Sequence, residues 1–266
     1  MKNTMYLTIA LLLVAGVIGV TWYVSEQNRS LPAESEQETG EQTVGGTRDV
    51  NGCLLPAGYA YDEDVQACVR SWELSEQEKV AAKTAVAEVG TGYALTVVQI
   101  RTFSGDRNYL VYLERGEERT QEKVYIKHGE VAEPEIVKLY FYDSSRDEIS
   151  PGNPACARKG LVAVERGIVS DDPIADTINL LLSGNITAEE FTSYDLLNEF
   201  PLEGFELADY SLTSDGTLTL TFNDPTGATS GGSCRVSILW YQIEATALQF
   251  DEVKKVEYSP EELFQP

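Results

Sequence analysis

GGSCRVSILWYQIEATALQFDEVKKV, residues 231–256, is the stretch on which the fold turns. Gly231 and Gly232 interrupt whatever precedes them, and Ser233 is a good helix N-cap. Ile238, Tyr241, Gln242, Ala245 and Leu248 then recur at the three- and four-residue spacing of one helical face. Phe250 ends that face and Val253-Lys254-Lys255-Val256 follows, so the spacing predicts a helix that runs into a closing strand over 254–258.

Working outward, residues 137–142 and 161–166 read as strands joined by a long polar loop carrying Pro151, Pro154 and Cys156. Asp172 is placed as an N-cap with Pro173 at the first helical position, and Ile174, Ile178, Leu181 and Leu182 line one face before Gly184. Residues 205–212 and 217–223 flank Ser214-Asp215-Gly216, a hairpin signal. The order is ββαββαβ, and the expected class is α+β with two amphipathic helices on one side of a sheet.

Taken together, Gly231-Gly232-Ser233-Cys234-Arg235-Val236, Cys156, Lys138-Leu139-Tyr140-Phe141-Tyr142, Asp171-Asp172-Pro173 and Leu263-Phe264-Gln265-Pro266 resemble the GerMN domain, the sporulation and spore germination family of bacterial envelope proteins, over about residues 137–266. The resemblance implies the same ββαββαβ order, an extracytoplasmic compartment, and association with envelope and septal assemblies through a shape similar to modules that build oligomeric rings. It implies no activity. Two departures stand out. Asp251 follows Phe250 where the family often has Pro, and an insertion, residues 194–202, precedes the hairpin.

The N-terminus bears on location. Residues 5–24 are an almost uninterrupted apolar run, and 20 residues at about 1.5 Å each span about 30 Å, the thickness of a bilayer core. Lys2 before it and Glu26 after it orient residues 1–4 to the cytoplasm and the rest outside. The run is long for a cleaved signal, so an uncleaved transmembrane anchor is expected, with Trp22 and Tyr23 at the interface. Residues 25–50, rich in Ser, Glu, Gln, Gly and Thr, read as a disordered tether.

Four cysteines fit an oxidising compartment. Of three connectivities, grouping favours Cys53–Cys68 and Cys156–Cys234, stabilising by about 3 and about 4.5 kcal/mol in the chain-entropy model. No C-x2-C spacing supports zinc. Residues 51–133 read as a small α+β domain. A stapled hairpin turns at Asp62-Glu63-Asp64; a helix is announced by Ser75-Glu76-Gln77-Glu78 and stopped by Gly90; β-rich runs cover 93–103, 109–114 and 123–127. The three acids of the turn lack the EF-hand spacing for calcium.

Chemistry is sparse. His128, the single histidine, sits in a surface turn without a triad, and Thr96, Ser104 and the many carboxylates form no motif. Trp72 and Trp240 read as core or edge aromatics, and Glu165-Arg166 as part of a charge network with Arg235. A net charge of -23 repels phosphate backbones, so no nucleic-acid partner is expected. No catalytic residue, cofactor or metal is assigned. The expected function is a membrane-anchored protein-interaction or assembly module of the bacterial cell envelope, binding another copy or another envelope protein with help from Tyr194, Leu196, Leu197 and Phe200 of the insertion; packing of these four back onto the domain is the equal alternative. Capture of an extracellular peptide, glycan or ion is the second reading, and an unrecognised hydrolase the third.

Overall fold

The computed structural model describes residues 46–150 and 152–265, and Asp49 organises its first turn. Its carboxylate accepts the backbone N–H of Asn51 and Cys53, and Arg48 forms a β-bridge with Leu54. The last residues of the expected tether are therefore bound into the fold, because an aspartate side chain can replace backbone partners in a turn. The expected anchor at 5–24 and the tether as far as residue 45 lie outside the described residues. Among the described residues no helix is long and apolar enough to cross a membrane.

The hairpin β1 (Ala60–Asp62) and β2 (Ala67–Val69) precedes α1 (Glu76–Val89). The expected capping box is present: Ser75 Oγ accepts from Glu78 N–H, and the Glu78 carboxylate accepts from Ser75 N–H at 2.8 Å. Then come β3 (Thr96–Thr102), β4 (Tyr109–Arg115), β5 (Thr120–Lys127) and the short β6 (Glu130–Val131). These strands form one sheet in sequence order, antiparallel except where β2 meets β3 in parallel at Cys68 and Thr96. Alternation decides its two faces. Val97, Val111, Leu113, Val124 and Ile126 pack on Ala82, Ala85 and Val86 of α1. Leu110, Tyr112 and Tyr125 point the other way, toward the second core.

That core belongs to the remaining elements: β7 (Glu135–Asp143), the hairpin β8 (Glu148–Ser150) and β9 (Asn153–Pro154), β10 (Leu161–Ile168), α2 (Pro173–Leu182), α3 (Ala188–Ser193), β11 (Leu196–Leu197), β12 (Glu206–Leu212), β13 (Thr217–Asn223), α4 (Ser233–Ala247) and β14 (Lys255–Ser259). Asp172 caps α2 from its side chain, with Pro173 at the first turn. The N-cap of α4 is Gly232 rather than Ser233, and no side chain caps it; Ser233 is already helical.

The expected single sheet is instead two sheets of three strands, β10-β7-β11 and β12-β13-β14, with β13 and β14 parallel. The free edge of β7 explains the split. Leu196 and Leu197 pair with Asp143 and Tyr142 at its end. Further along, Thr246 Oγ1 accepts from Tyr140 N–H, while the Gln249 amide accepts from Lys138 N–H and donates to Lys138 C=O, both at 2.7 Å. With that edge satisfied by a strand stub and two polar side chains near the end of α4, no ladder position remains for the β12–β13 hairpin.

The two cores are joined in one unit. Phe103 and Leu110, from before residue 133, are buried in the core otherwise built by residues 137–264. Beside them the Asp176 carboxylate accepts the backbone N–H and hydroxyl of Ser104 and the hydroxyl of Ser170. Lys127 Nζ donates to Ser170 C=O at 3.0 Å.

Candidate functional site

The outer face of β3–β5 does not meet the second half flush. Between them runs an open cleft of about 720 Å³, walled by β3–β5 on one side and by Glu165, Arg166 and Gly167 of β10 with residues 185–194 on the other. A bulge between Val97 and Gln99 adds one residue to β3, so Val98 and Gln99 both line the cleft. Gly167 permits the closest approach: a Cβ there would stand 2.5 Å from Tyr125 Oη and 2.9 Å from Pro134 Cβ.

Arg166 is the strut that fixes the second wall. Its guanidinium donates to both Glu190 carboxylate oxygens, at 2.7 and 2.6 Å, to Asn185 Oδ1 at 2.7 Å and to the carbonyls of Asn185 and Glu165. Glu190 also completes a capping box with Thr187 at the start of α3. Burial pushes the Glu190 carboxyl upward, but the Arg166 and Thr187 hydrogen bonds together outweigh it and hold the group below its ordinary range. Tyr112 and Tyr125 form the floor. Burial, followed by the neighbouring Tyr112, raises the Tyr125 phenol against the opposing pull of Arg101 and Arg166.

Part of what faces the space is polar and unengaged. Gln99, Arg101, Gln121 and Lys123 stand on the sheet wall, Glu165 and Glu189 on the other, and none of their side chains enters a hydrogen bond or ion pair among the described residues. Lys123 Nζ lies 5.6 Å from the centre of the Tyr112 ring. Such an arrangement can bind and orient a polar ligand.

The residues singled out from sequence are scattered. His128 is exposed in a left-handed turn, as expected, but its Nε2 lies 3.1 Å from the Asp171 carboxylate. That contact, together with Lys127, lowers the Asp171 carboxyl. The Ser104 hydroxyl is given to Asp176, and Thr96 bonds locally to Ala94. The expected network of Glu165-Arg166 with Arg235 does not form: Arg166 pairs with Glu190, and Arg235 with Glu199. Glu190 is presented by α3 and Glu199 by the segment that leads into β12. Trp240 packs on Tyr258 and Phe264, whereas Trp72 is 68% exposed over Gly58. Of the four insertion residues singled out, Leu196 and Phe200 are buried, Tyr194 is partly buried beneath Arg146, and Leu197 is substantially exposed. Leu196 and Phe200 thus take the packing alternative, because β11 pairs with β7 and turns alternate side chains into the core.

Cys53 is bonded to Cys68 and Cys156 to Cys234, each pair with Cα atoms 5.3 Å apart. The second bond ties the loop between β9 and β10 to the first turn of α4. The same loop is held by Asp147, which accepts from the Tyr142 hydroxyl and the Ala157 N–H, both at 2.6 Å. Sequence reasoning missed Gln99, Arg101, Gln121 and Lys123. Their alternation along β3 and β5 was visible, but it is also the pattern of any solvated sheet face. The Thr187-x-x-Glu190 capping box was a readable signal for α3 that the sequence reading passed over.

A mixed sheet-and-helix module with a disulfide from its long loop to its last helix is thus the class defined by the fold. Residues 138–259 match the family model described as Germane, sporulation and spore germination, and over that span the chain is a GerMN-domain protein. The family description ties this module to sporulation and germination and names no reaction. Among solved structures, the chain is similar to the tandem GerMN domains of the sporulation protein GerM from Bacillus subtilis, at 15% identity and a TM-score of 0.36, over 78% of this chain and 72% of that one. No curated protein matches.

Proposed function

We propose that this chain is a membrane-tethered, extracytoplasmic GerMN-domain protein of the bacterial cell envelope that acts by associating with another protein and carries out no catalysis. One observation carries the reading. The two halves are bolted at Asp176 and Ser104, and the Arg166 strut holds the far wall in place, so a cleft of about 720 Å³ stands preformed and lined with unengaged polar groups. Preformed concave sites between structural halves are where ligands and partner segments bind, since little ordering is needed on association. Family membership over residues 138–259 supports a protein-module role, and the apolar run at 5–24 supports the tether.

The test places a photo-crosslinking residue at Gln121, in the cleft, or at Trp72, outside it, in the full chain in its native cell. A discrete adduct with one extracytoplasmic protein at Gln121 but not at Trp72 is expected. A reporter active only outside the cytoplasm should function after residue 266. An inactive reporter, or adducts only with cytoplasmic proteins, overturns the reading.

A further inference from the structure

We infer that the cleft is a peptide site, which takes an extended segment of a partner chain bearing an acidic group toward Arg101 and Lys123 and a basic group toward Glu165 and Glu189. This rests on the binding role proposed above and adds the chemistry of what is bound.

Charge placement carries the argument. Arg101 and Lys123 rise from the β3–β5 wall without an acidic partner among the described residues, in a chain with 43 acidic and 20 basic side chains. Glu165 and Glu189 stand on the facing wall without a basic one. The walls are fixed apart, β10 by its ladder to β7 and α3 by Arg166, so these charges do not close on one another. Opposite charges held across a gap favour a ligand that presents both signs in the reverse order. A phosphate or polyanion would meet the carboxylate wall, and a neutral glycan would desolvate four charges without pairing any of them.

The rest of the lining suits a polypeptide. Gln99 and Gln121 each offer a donor and an acceptor, as a peptide group requires. Tyr112 and Tyr125 give an amphipathic floor. Three successive residues of β10, Glu165, Arg166 and Gly167, line the cleft, where a strand face would contribute alternate residues; β10 therefore presents its edge. Among the described residues no second strand pairs with that edge, although the Glu165 carbonyl accepts from Arg166 Nη1. An extended segment lying along it can add to the ladder at the groups Arg166 leaves open while its side chains reach the two charged walls.

The experiment uses the full chain in detergent micelles and a positional-scanning library of N-acetylated, C-amidated hexapeptides, with chitotetraose and inorganic phosphate as separate probes. Enriched peptides should carry one acidic and one basic residue apart from each other. Their binding should weaken about tenfold or more in Arg101→Gln/Lys123→Gln and equally in Glu165→Gln/Glu189→Gln, with melting temperatures nearly unchanged because none of the four side chains makes a hydrogen bond or ion pair among the described residues. Enrichment of uncharged peptides, indifference to either double variant, no enrichment at all, or binding of chitotetraose or phosphate in place of peptides overturns the inference. If the library fails while the Gln121 adduct still forms, the protein-association reading stands and only the dipolar peptide is lost. If peptides bind while no adduct forms in cells, the site stands and the envelope-partner reading falls.

Discussion

Asp176 holds Ser104 at two points across 72 residues of sequence: its carboxylate accepts the Ser104 backbone N–H at 2.7 Å and the Ser104 hydroxyl at 3.0 Å. The same buried group takes the Ser170 hydroxyl. Charge-assisted bonds of this kind are the strong ones, and removing the acceptor leaves donors without partners. Asp176→Ala should therefore cost about 2–4 kcal/mol, and the wild-type unit should melt in one transition because Phe103 and Leu110 share the second core. Calorimetry checks both. A second, early transition confined to residues before 133 in the wild type would show that the halves unfold separately.

The two disulfides should differ in ease of reduction. Cys53 and Cys68 are both buried, whereas Cys156 is half-buried and Cys234 exposed on the first turn of α4. Exchange requires a thiolate to reach a sulfur, so access decides the order. Mild reductant with alkylation and peptide mapping should label Cys156 and Cys234 first. Breaking that bond frees a loop of 78 residues, for which chain entropy gives about 4.5 kcal/mol. Cys234→Ser should lower stability by a few kcal/mol at most.

Alkaline pH should act through Tyr142. Burial, followed by the hydrogen bond it donates to Asp147, pushes its phenol up to about 12; Tyr210 reaches about 12 through burial and its bond to Asp172. A group raised on folding contributes stability that is complete below its ordinary pKa of 10 and is lost as pH climbs from 10 toward 12. Phenolate absorbance should rise in two stages, the later one coinciding with unfolding. Tyr142→Phe should remove part of the late stage and, by depriving buried Asp147 of a donor, cost about 1–3 kcal/mol.

Sequence carried the local elements well and the assembly less well. Ser75 with Glu78, Asp172 with Pro173, and Asp215-Gly216 each announce one turn of chain through bonds between near neighbours, and each is where expected. The split of the sheet was not legible, because it depends on Thr246 and Gln249 reaching β7 from more than 100 residues away. Nothing in a helix's own periodicity says that its polar residues will cap a strand. The cleft was hidden for the same reason. Arg101, Lys123, Glu165 and Glu189 come from four elements, and it is the packing of Phe103, Leu110 and Tyr125 against the second half that puts them across one space.

The insertion at 194–202 allows a sharper test than deletion. Phe200 is 5% exposed and lies 6.4 Å, ring to ring, from Phe205, whereas Leu197 is 42% exposed on a two-residue strand. Removing a buried phenyl ring costs about 3–5 kcal/mol, and a surface substitution stays within about 0.5 kcal/mol. Phe200→Ala should thus lower the melting temperature markedly, and Leu197→Ser should leave it nearly unchanged. Leu197 is then the one residue of the four whose loss can report on partner contact without disturbing the fold. If Leu197→Ser leaves the Gln121 adduct intact, the insertion contributes packing and the cleft alone holds the partner; if it abolishes the adduct at unchanged melting temperature, the contact surface extends over β11.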